Sequence, residues 1–289
     1  MRPFAYERPA SLAEAFAVLD AHGTAAVALA GGTDLIIRLR DGTARPDVVV
    51  DLKAIAERDD GLHERDGRLV IGGWAVMTDI AADPLVRRDF TALGEAAQVV
   101  GSAQIRNRAT LAGNICNASP AADTAPALLV YGAEVVAMGS GGTRRIPIDD
   151  FFIGPGRTAL APGELVTAIE LPLPEGRRGA VHMRRTRRRG HDLASVTLAC
   201  AVMDDGHARL AYGSVGPRPL LVTDDTGVLA DATATAEARA RLLDRLLAGA
   251  SPSARSMRAS PAYRLAMLRV LAVRAADIAA RRVAGGAAA

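Results

Sequence analysis

Apolar residues recur at helical spacing along residues 11–22, "SLAEAFAVLDAH", where Leu12, Ala15, Phe16 and Leu19 share one face. Ser11 and Glu14 form a capping box ahead of that face and Gly23 stops it, so the pattern predicts a helix. The next apolar run, "AAVALA" (25–30), predicts a buried strand. "DLIIRLRDG" (34–42) reads as a short helix or turn, and "DVVVDL" (47–52) as a further strand. Strands alternating with short helices predict a small α/β unit with parallel pairing.

From about residue 57 the pattern changes. "RLVIGG", "AEVVAMGSGGTRRIPI" and "LVTAIELPLP" read as strands divided by Gly, Pro and Asp turns, and a helical segment near 77–98 interrupts them. "PLPEGRRG" (172–179) reads as a linker. Beyond it lie the strand-like runs "ASVTLACAVM" and "ARLAYGSVG", then two helices. The last begins at Ser260-Pro261, an N-cap followed by proline at the first helical position, and runs to about Val283 before a frayed "GGAAA" tail. The fold class is α+β, without internal repeats.

Composition narrows the chemistry. The 289 residues suffice for two or three domains with cores of their own. Aromatic residues are only 3% of the chain, so a binding surface must rely on backbone groups and small side chains. The net charge is +3 and Lys53 is the sole lysine among many arginines, a bias that a GC-rich genome explains. A basic balance permits an acidic partner without requiring nucleic acid. Cys116 and Cys200 form no Cys-x-x-Cys arrangement, which excludes an iron–sulfur or zinc site held by cysteine alone. The start "MRPFAYERPAS" lacks the apolar core of a signal peptide, and no apolar run reaches a membrane span. A reduced, soluble, cytoplasmic protein is expected.

Two glycine-bearing stretches are candidate anion sites. In "ALAGGTDLIIRL", Gly31 and Gly32 stand where a strand turns into a helical segment, so successive N–H groups converge, and Thr33 and Asp34 are placed to cap the next turn. Neither G-x-G-x-x-G nor a lysine-bearing P-loop is present. In "TLAGNICNASPAAD", Gly113 permits close approach, Asn114 donates from backbone and side chain, Ser119-Pro120 makes a turn, and Asp123 can accept from a hydroxyl or amide. Asp123 and Thr124 equally suit the start of a helix over "TAPALLVYGA". That leaves a cap and a ligand role both open for Asp123.

"AGGTDL", "IRNRATLAGNICNASPAADTAPALL", "PIDDFFIGPGRTALAPGELVTAIELP" and "MRRTRRRGHDLASV" follow in order across most of the chain. Together they resemble the FAD-binding medium subunit of molybdenum hydroxylases, the xanthine dehydrogenase and carbon monoxide dehydrogenase family. "ASPAYRLAMLRVLAVRA" is similar to the family's C-terminal helix. The resemblance implies a two-lobed PCMH-type FAD-binding domain over 1–176, with lobes of about 1–56 and 57–176. A C-terminal antiparallel sheet plus helices, of the carbon monoxide dehydrogenase type, follows over 177–289.

It also implies roles residue by residue. Ala30, Gly31, Gly32, Thr33, Asp34 and Leu35 match the loop around the FAD pyrophosphate. Val100, Gly101, Ser102 and Gln104 match the border of the adenine or flavin edge. Thr110, Leu111, Ala112, Gly113 and Asn114 match a T-x-G-G-N motif along the pyrophosphate and ribityl chain, with Ala112 in place of its first glycine. Asp123 matches an acid that hydrogen-bonds the sugar-like chain, and Leu165 and Val166 an apolar position near the isoalloxazine. Arg184 stands where the family has a lysine beside the flavin, a change of reach and geometry at constant charge. No histidine attachment point is present, so noncovalent FAD is implied.

The implied function is electron transfer within a complex. Molybdopterin and [2Fe-2S] clusters would sit on a large and a small partner subunit, in a heterotrimer or a dimer of heterotrimers, with no nucleic acid and no transmembrane segment. A stand-alone FAD oxidase or dehydrogenase is the alternative, and it needs a base for which only His182, His191 and Tyr131 are available. A basic nucleic-acid module built on residues 184–189 ranks below both, for want of aromatic residues to stack on bases.

Overall fold

A computed structural model describes residues 2–188, 190 and 192–285 of the chain. The N-terminal helix spans Leu12–His22 and buries Ala15, Phe16 and Leu19. Ser11 Oγ accepts from the Glu14 amide at 3.2 Å, while Glu14 Oε2 accepts from the Ala10 amide at 2.8 Å. The reciprocal half of the capping box is thus displaced by one residue.

Strands Ala5–Glu7, Val48–Asp51 and Ala26–Leu29 form an all-parallel sheet, with Val48–Asp51 in the centre. The central strand is buried throughout, but Ala26–Leu29 is only half-buried. The buried strand expected over 25–30 is therefore an edge strand, paired on one side alone. Strand order, not composition, sets its exposure.

A five-stranded antiparallel sheet follows, ordered Leu62–Arg65, Arg68–Gly72, Leu165–Pro172, Glu134–Gly139 and Gly142–Pro147. The helical segment expected near 77–98 is three helices, Met77–Ala82, Pro84–Asp89 and Thr91–Gln98. Asp83 takes extended backbone and its Oδ1 accepts from the Leu85 and Val86 amides, restarting the helix with Pro84 in its first turn. Their apolar faces join one large core with the buried helix Thr124–Tyr131.

Strands Arg178–Arg185, Val196–Met203, Ala208–Gly213 and Leu220–Asp224 form a second antiparallel sheet in chain order. Because side chains alternate along a strand, Val196–Met203 serves two cores. Ala199 and Ala201 join the core around Thr124–Tyr131, whereas Leu198, Cys200 and Val202 pack with the long helix Pro261–Val283. Small residues let one helix lie close while large ones fill the space beneath the other. The expected linker 172–179 is shorter than its sequence suggests, since Pro172 ends one strand and Arg178 opens the next. The helices Ala236–Leu246 and Pro261–Val283 complete the fold, the second capped by Ser260 Oγ, which accepts from the Tyr263 amide at 3.2 Å. No helix among the described residues is long and apolar enough to cross a membrane. The expected tail at 285–289 lies outside the described residues apart from Gly285.

Candidate functional site

The first glycine loop leaves the carboxyl end of the parallel strand Ala26–Leu29, where open α/β sheets hold ligands. Ala30, Gly31 and Gly32 carry the chain to the helix Leu35–Asp41. Gly32 has φ +77°, which favours glycine, and a Cβ there would meet Leu29 and Ile36 at 3.0 and 3.1 Å. Gly31 is glycine for a different reason. A Cβ on it would lie 1.9 Å from the Arg108 carbonyl oxygen, so the loop rests directly on the chain entering the second motif. Thr33 is half-buried. Asp34 is exposed and makes no side-chain cap, contrary to expectation, because its backbone is already helical. Leu35 is buried with Leu39 and Val49 and anchors the helix.

The second stretch is a short helix, Leu111–Cys116, rather than the expected loop. Thr110 caps it, its Oγ1 accepting from the Gly113 amide at 3.0 Å. Ala112 adopts helical backbone and is buried, so its methyl group replaces a glycine without strain. Gly113 is exposed, and Asn114 Oδ1 accepts from Thr124 Oγ1 at 2.6 Å. Beyond the helix Ala118 has φ +43°, an uncommon value for alanine that no sequence signal announced. The surrounding backbone holds it: Ala118 O accepts from the Gly156 amide at 3.1 Å, and Pro120 O from the Ser214 amide at 2.6 Å.

Gly101 turns the chain with φ +53°. Ser102 Oγ accepts from the Ile105 amide at 3.3 Å, and Gln104 is exposed on the helix Ala103–Arg106 that Ser102 caps. Leu165 packs with Trp74 and Leu52, and Val166 joins the large central core. Both are buried, at 6% and 8% exposure, and are supporting positions rather than an open apolar wall.

Asp123 does not take the cap role that the sequence left open. It precedes the helix Thr124–Tyr131 but makes no cap, since its own backbone is helical. It is 8% exposed, and Oδ2 lies 3.0 Å from Arg184 Nη1. That same nitrogen donates to Val99 O at 3.0 Å, and Nη2 donates to Asp192 O. Arg184 therefore joins the turn at 99–102 to Asp123. His182 Nε2 stands 3.3 Å from Asp123 Oδ1 but is closer to Thr197 Oγ1, at 2.9 Å. Among the described residues Asp123 Oδ1 has no hydrogen-bond donor, and Arg184 Nε likewise lacks an acceptor. A buried carboxylate oxygen without a donor fits a ligand hydroxyl or amide.

Of the bases open to the alternative enzyme, Tyr131 is engaged within the fold. Tyr131 is fully buried, its oxygen accepts from the Ala92 amide at 3.0 Å, and burial pushes its pKa up to about 12. His191 lies outside the described residues, and so does Arg189 of the basic run. Burial pushes the Cys116 thiol up to about 12.

The family described as the FAD binding domain in molybdopterin dehydrogenase matches residues 2–174. The chain belongs to that family. Residues 182–279 match the carbon monoxide dehydrogenase flavoprotein C-terminal domain. This flavoprotein is 32% identical over 273 residues to the xanthine dehydrogenase FAD-binding subunit of Escherichia coli O157:H7, covering 92% of each chain. It is 30% identical to the carbon monoxide dehydrogenase medium chain of Hydrogenophaga pseudoflava, over 97% of this chain and 98% of the relative. The solved carbon monoxide dehydrogenase of that organism, in a form lacking the Mo-pyranopterin moiety, superimposes with a TM-score of 0.88, covering 98% of this chain and 99% of the other. The flavoprotein is an oxidoreductase subunit of α+β fold whose cofactor is FAD.

Proposed function

We propose that the chain carries electrons within a molybdenum hydroxylase. It would take them from [2Fe-2S] clusters on a small subunit, downstream of a molybdopterin-bearing large subunit, and pass them to an external acceptor. FAD, when bound, supplies a redox centre that exchanges electrons singly or in pairs. The residues of this chain hold and orient it. Backbone amides of Gly31, Gly32, Thr33 and Asp34 would hold the pyrophosphate, with Thr110, Ala112, Gly113, Asn114, Gly101, Ser102 and Gln104 as its other candidate neighbours. Asp123 would accept from the sugar-like chain, and Arg184 would supply a cation that favours added negative charge on the flavin. Leu35, Leu165 and Val166 support the site from the cores behind it.

The observation that carries this reading is the free Oδ1 of buried Asp123, on a segment reached by both the Arg184 guanidinium and the second motif. The partner subunits are supported by the relatives, which are named as an FAD-binding subunit and a medium chain. Among the described residues no group of three His, Cys, Asp or Glu side chains is arranged to hold a metal, and both cysteines are free. We place the boundary between FAD-binding and C-terminal domains at 176/177, which divides the sheets without cutting a strand, and we place the protein in the cytoplasm.

The test is spectroscopic. Purified protein should show flavin absorbance, and acid precipitation should release the chromophore into the supernatant. Colour retained on the pellet would contradict noncovalent binding. Substrate turnover without other subunits would favour the stand-alone oxidase.

A further inference from the structure

Ser214 holds φ +63°, one of three non-glycine residues at positive φ among the described residues. Asp66 sits in the tight turn between the strands Leu62–Arg65 and Arg68–Gly72, where hairpin geometry asks for such values. Ala118 and Ser214 instead stand at one junction, since Pro120 O accepts from the Ser214 amide at 2.6 Å. Glycine would hold the Ser214 backbone at less cost. What serine adds is a hydroxyl, and Ser214 Oγ donates to Ala194 O at 3.3 Å.

The two carbonyls belong to the two segments that carry the Asp123–Arg184 pair. Pro120 lies three residues before Asp123 in the second motif. Ala194 lies two residues after Asp192, whose carbonyl accepts from Arg184 Nη2. Gly213 lets the chain come this close, because a Cβ there would lie 2.5 Å from Thr197 Cγ2 and 3.3 Å from Pro120 O. From the other side, Arg264 of the helix Pro261–Val283 donates through Nη1 to Ser214 O at 2.9 Å, and Val215 O accepts from the Ser251 amide at 2.7 Å. Ser214, Ala194 and Arg264 are all buried, so little water competes for these bonds. Ser214 is thus fixed by the C-terminal helix and in turn fixes both segments.

We infer that Ser214 is a positioning residue of the FAD site, which sets the placement of Asp123 and Arg184 relative to each other through the carbonyls of Pro120 and Ala194. The inference rests on the proposed FAD reading of that pair. The Ser214 amide holds the turn leading into Asp123, and its hydroxyl holds the segment on which Arg184 is anchored. Without the hydroxyl, Ala194 and Asp192 lose a tether, and Arg184 keeps its charge but not its fixed position.

Ser214→Ala and Ser214→Gly test this together. Both remove the hydroxyl, but glycine also relieves the backbone, so its apoprotein should melt a few degrees above that of Ser214→Ala. Titration of the full-chain apoprotein with FAD, followed by flavin fluorescence, should nonetheless show both variants weakened by about threefold to tenfold. The midpoint potential of the flavin bound at saturation should fall in both, since a less fixed Arg184 favours added negative charge less. Parent-like affinity in either variant, affinity that follows melting temperature, or an unchanged potential would overturn the inference while leaving FAD binding intact. A parent that binds no FAD overturns the functional reading, and this inference with it.

Discussion

Arg184 Nη1 stands 3.0 Å from Asp123 Oδ2 and also donates to Val99 O at 3.0 Å. One guanidinium thus ties a strand of the C-terminal sheet to two separate segments of the FAD-binding region. Both partners are largely enclosed, with side chains 16% and 10% exposed. An ion pair in such surroundings is costly to break, because the surviving charge is left without a partner.

Asp123→Asn is the sharpest probe of that relationship. A helix cap would tolerate asparagine, but Asp123 does not cap. The change should weaken FAD by about tenfold to a hundredfold, the cost of mismatching a buried acceptor. Apoprotein titration measures it. Parent-like affinity would remove Asp123 from the site.

Gly31 and Gly32 should separate under substitution. Gly32→Ala incurs about 1 kcal/mol from its positive φ, a shift of a few degrees in apoprotein melting temperature. Gly31→Ala forces a methyl group into the Arg108 carbonyl and should lower melting temperature further. Differential scanning calorimetry without FAD gives the order. The reverse order would show that the loop does not sit on the chain at Arg108.

Arg178 lies with its guanidinium 4.4 Å from the Tyr131 ring centroid and 5.1 Å from that of Phe90, and it donates to Asp89 O at 3.1 Å. Burial lowers its pKa, yet the two ring faces offset that desolvation. Arg178→Ala should cost about 1–3 kcal/mol in urea denaturation without changing FAD affinity in the surviving folded protein. A loss of affinity at unchanged stability would mean that Arg178 reaches the cofactor.

Glu170 is buried, and the two-pronged hydrogen bond from Arg145 at 2.9 and 3.0 Å holds its carboxyl below the usual carboxylate range. A depressed native pKa contributes stability that is present above the unfolded value, about 4.3, and is lost as pH falls through the folded one. Glu170→Gln should therefore lower stability at neutral pH and flatten the decline in acid. Thermal melts at a series of pH values test it, and an unchanged acid slope would remove the Arg145 pair as its cause.

Much of this protein is legible along the chain, and the legible parts are local. Ser11 with Glu14, and Ser260 with Pro261, mark helix starts because a cap needs only groups within one turn. The ordered motifs resemble the FAD-binding family because each is written in consecutive residues. Other features have no local trace. Ala26–Leu29 is half-buried only because the sheet places it at an edge, and the three helices of 77–98 are separate only because Asp83 and Phe90 turn the chain. Ala118 is held at positive φ by partners from distant segments. Asp123, His182, Thr197 and Arg184 meet only once the C-terminal sheet has docked on the helix that follows Asp123. Caps and turns depend on neighbours in sequence, whereas the charge and free oxygen of a buried carboxylate depend on neighbours in space, which the packed fold alone supplies.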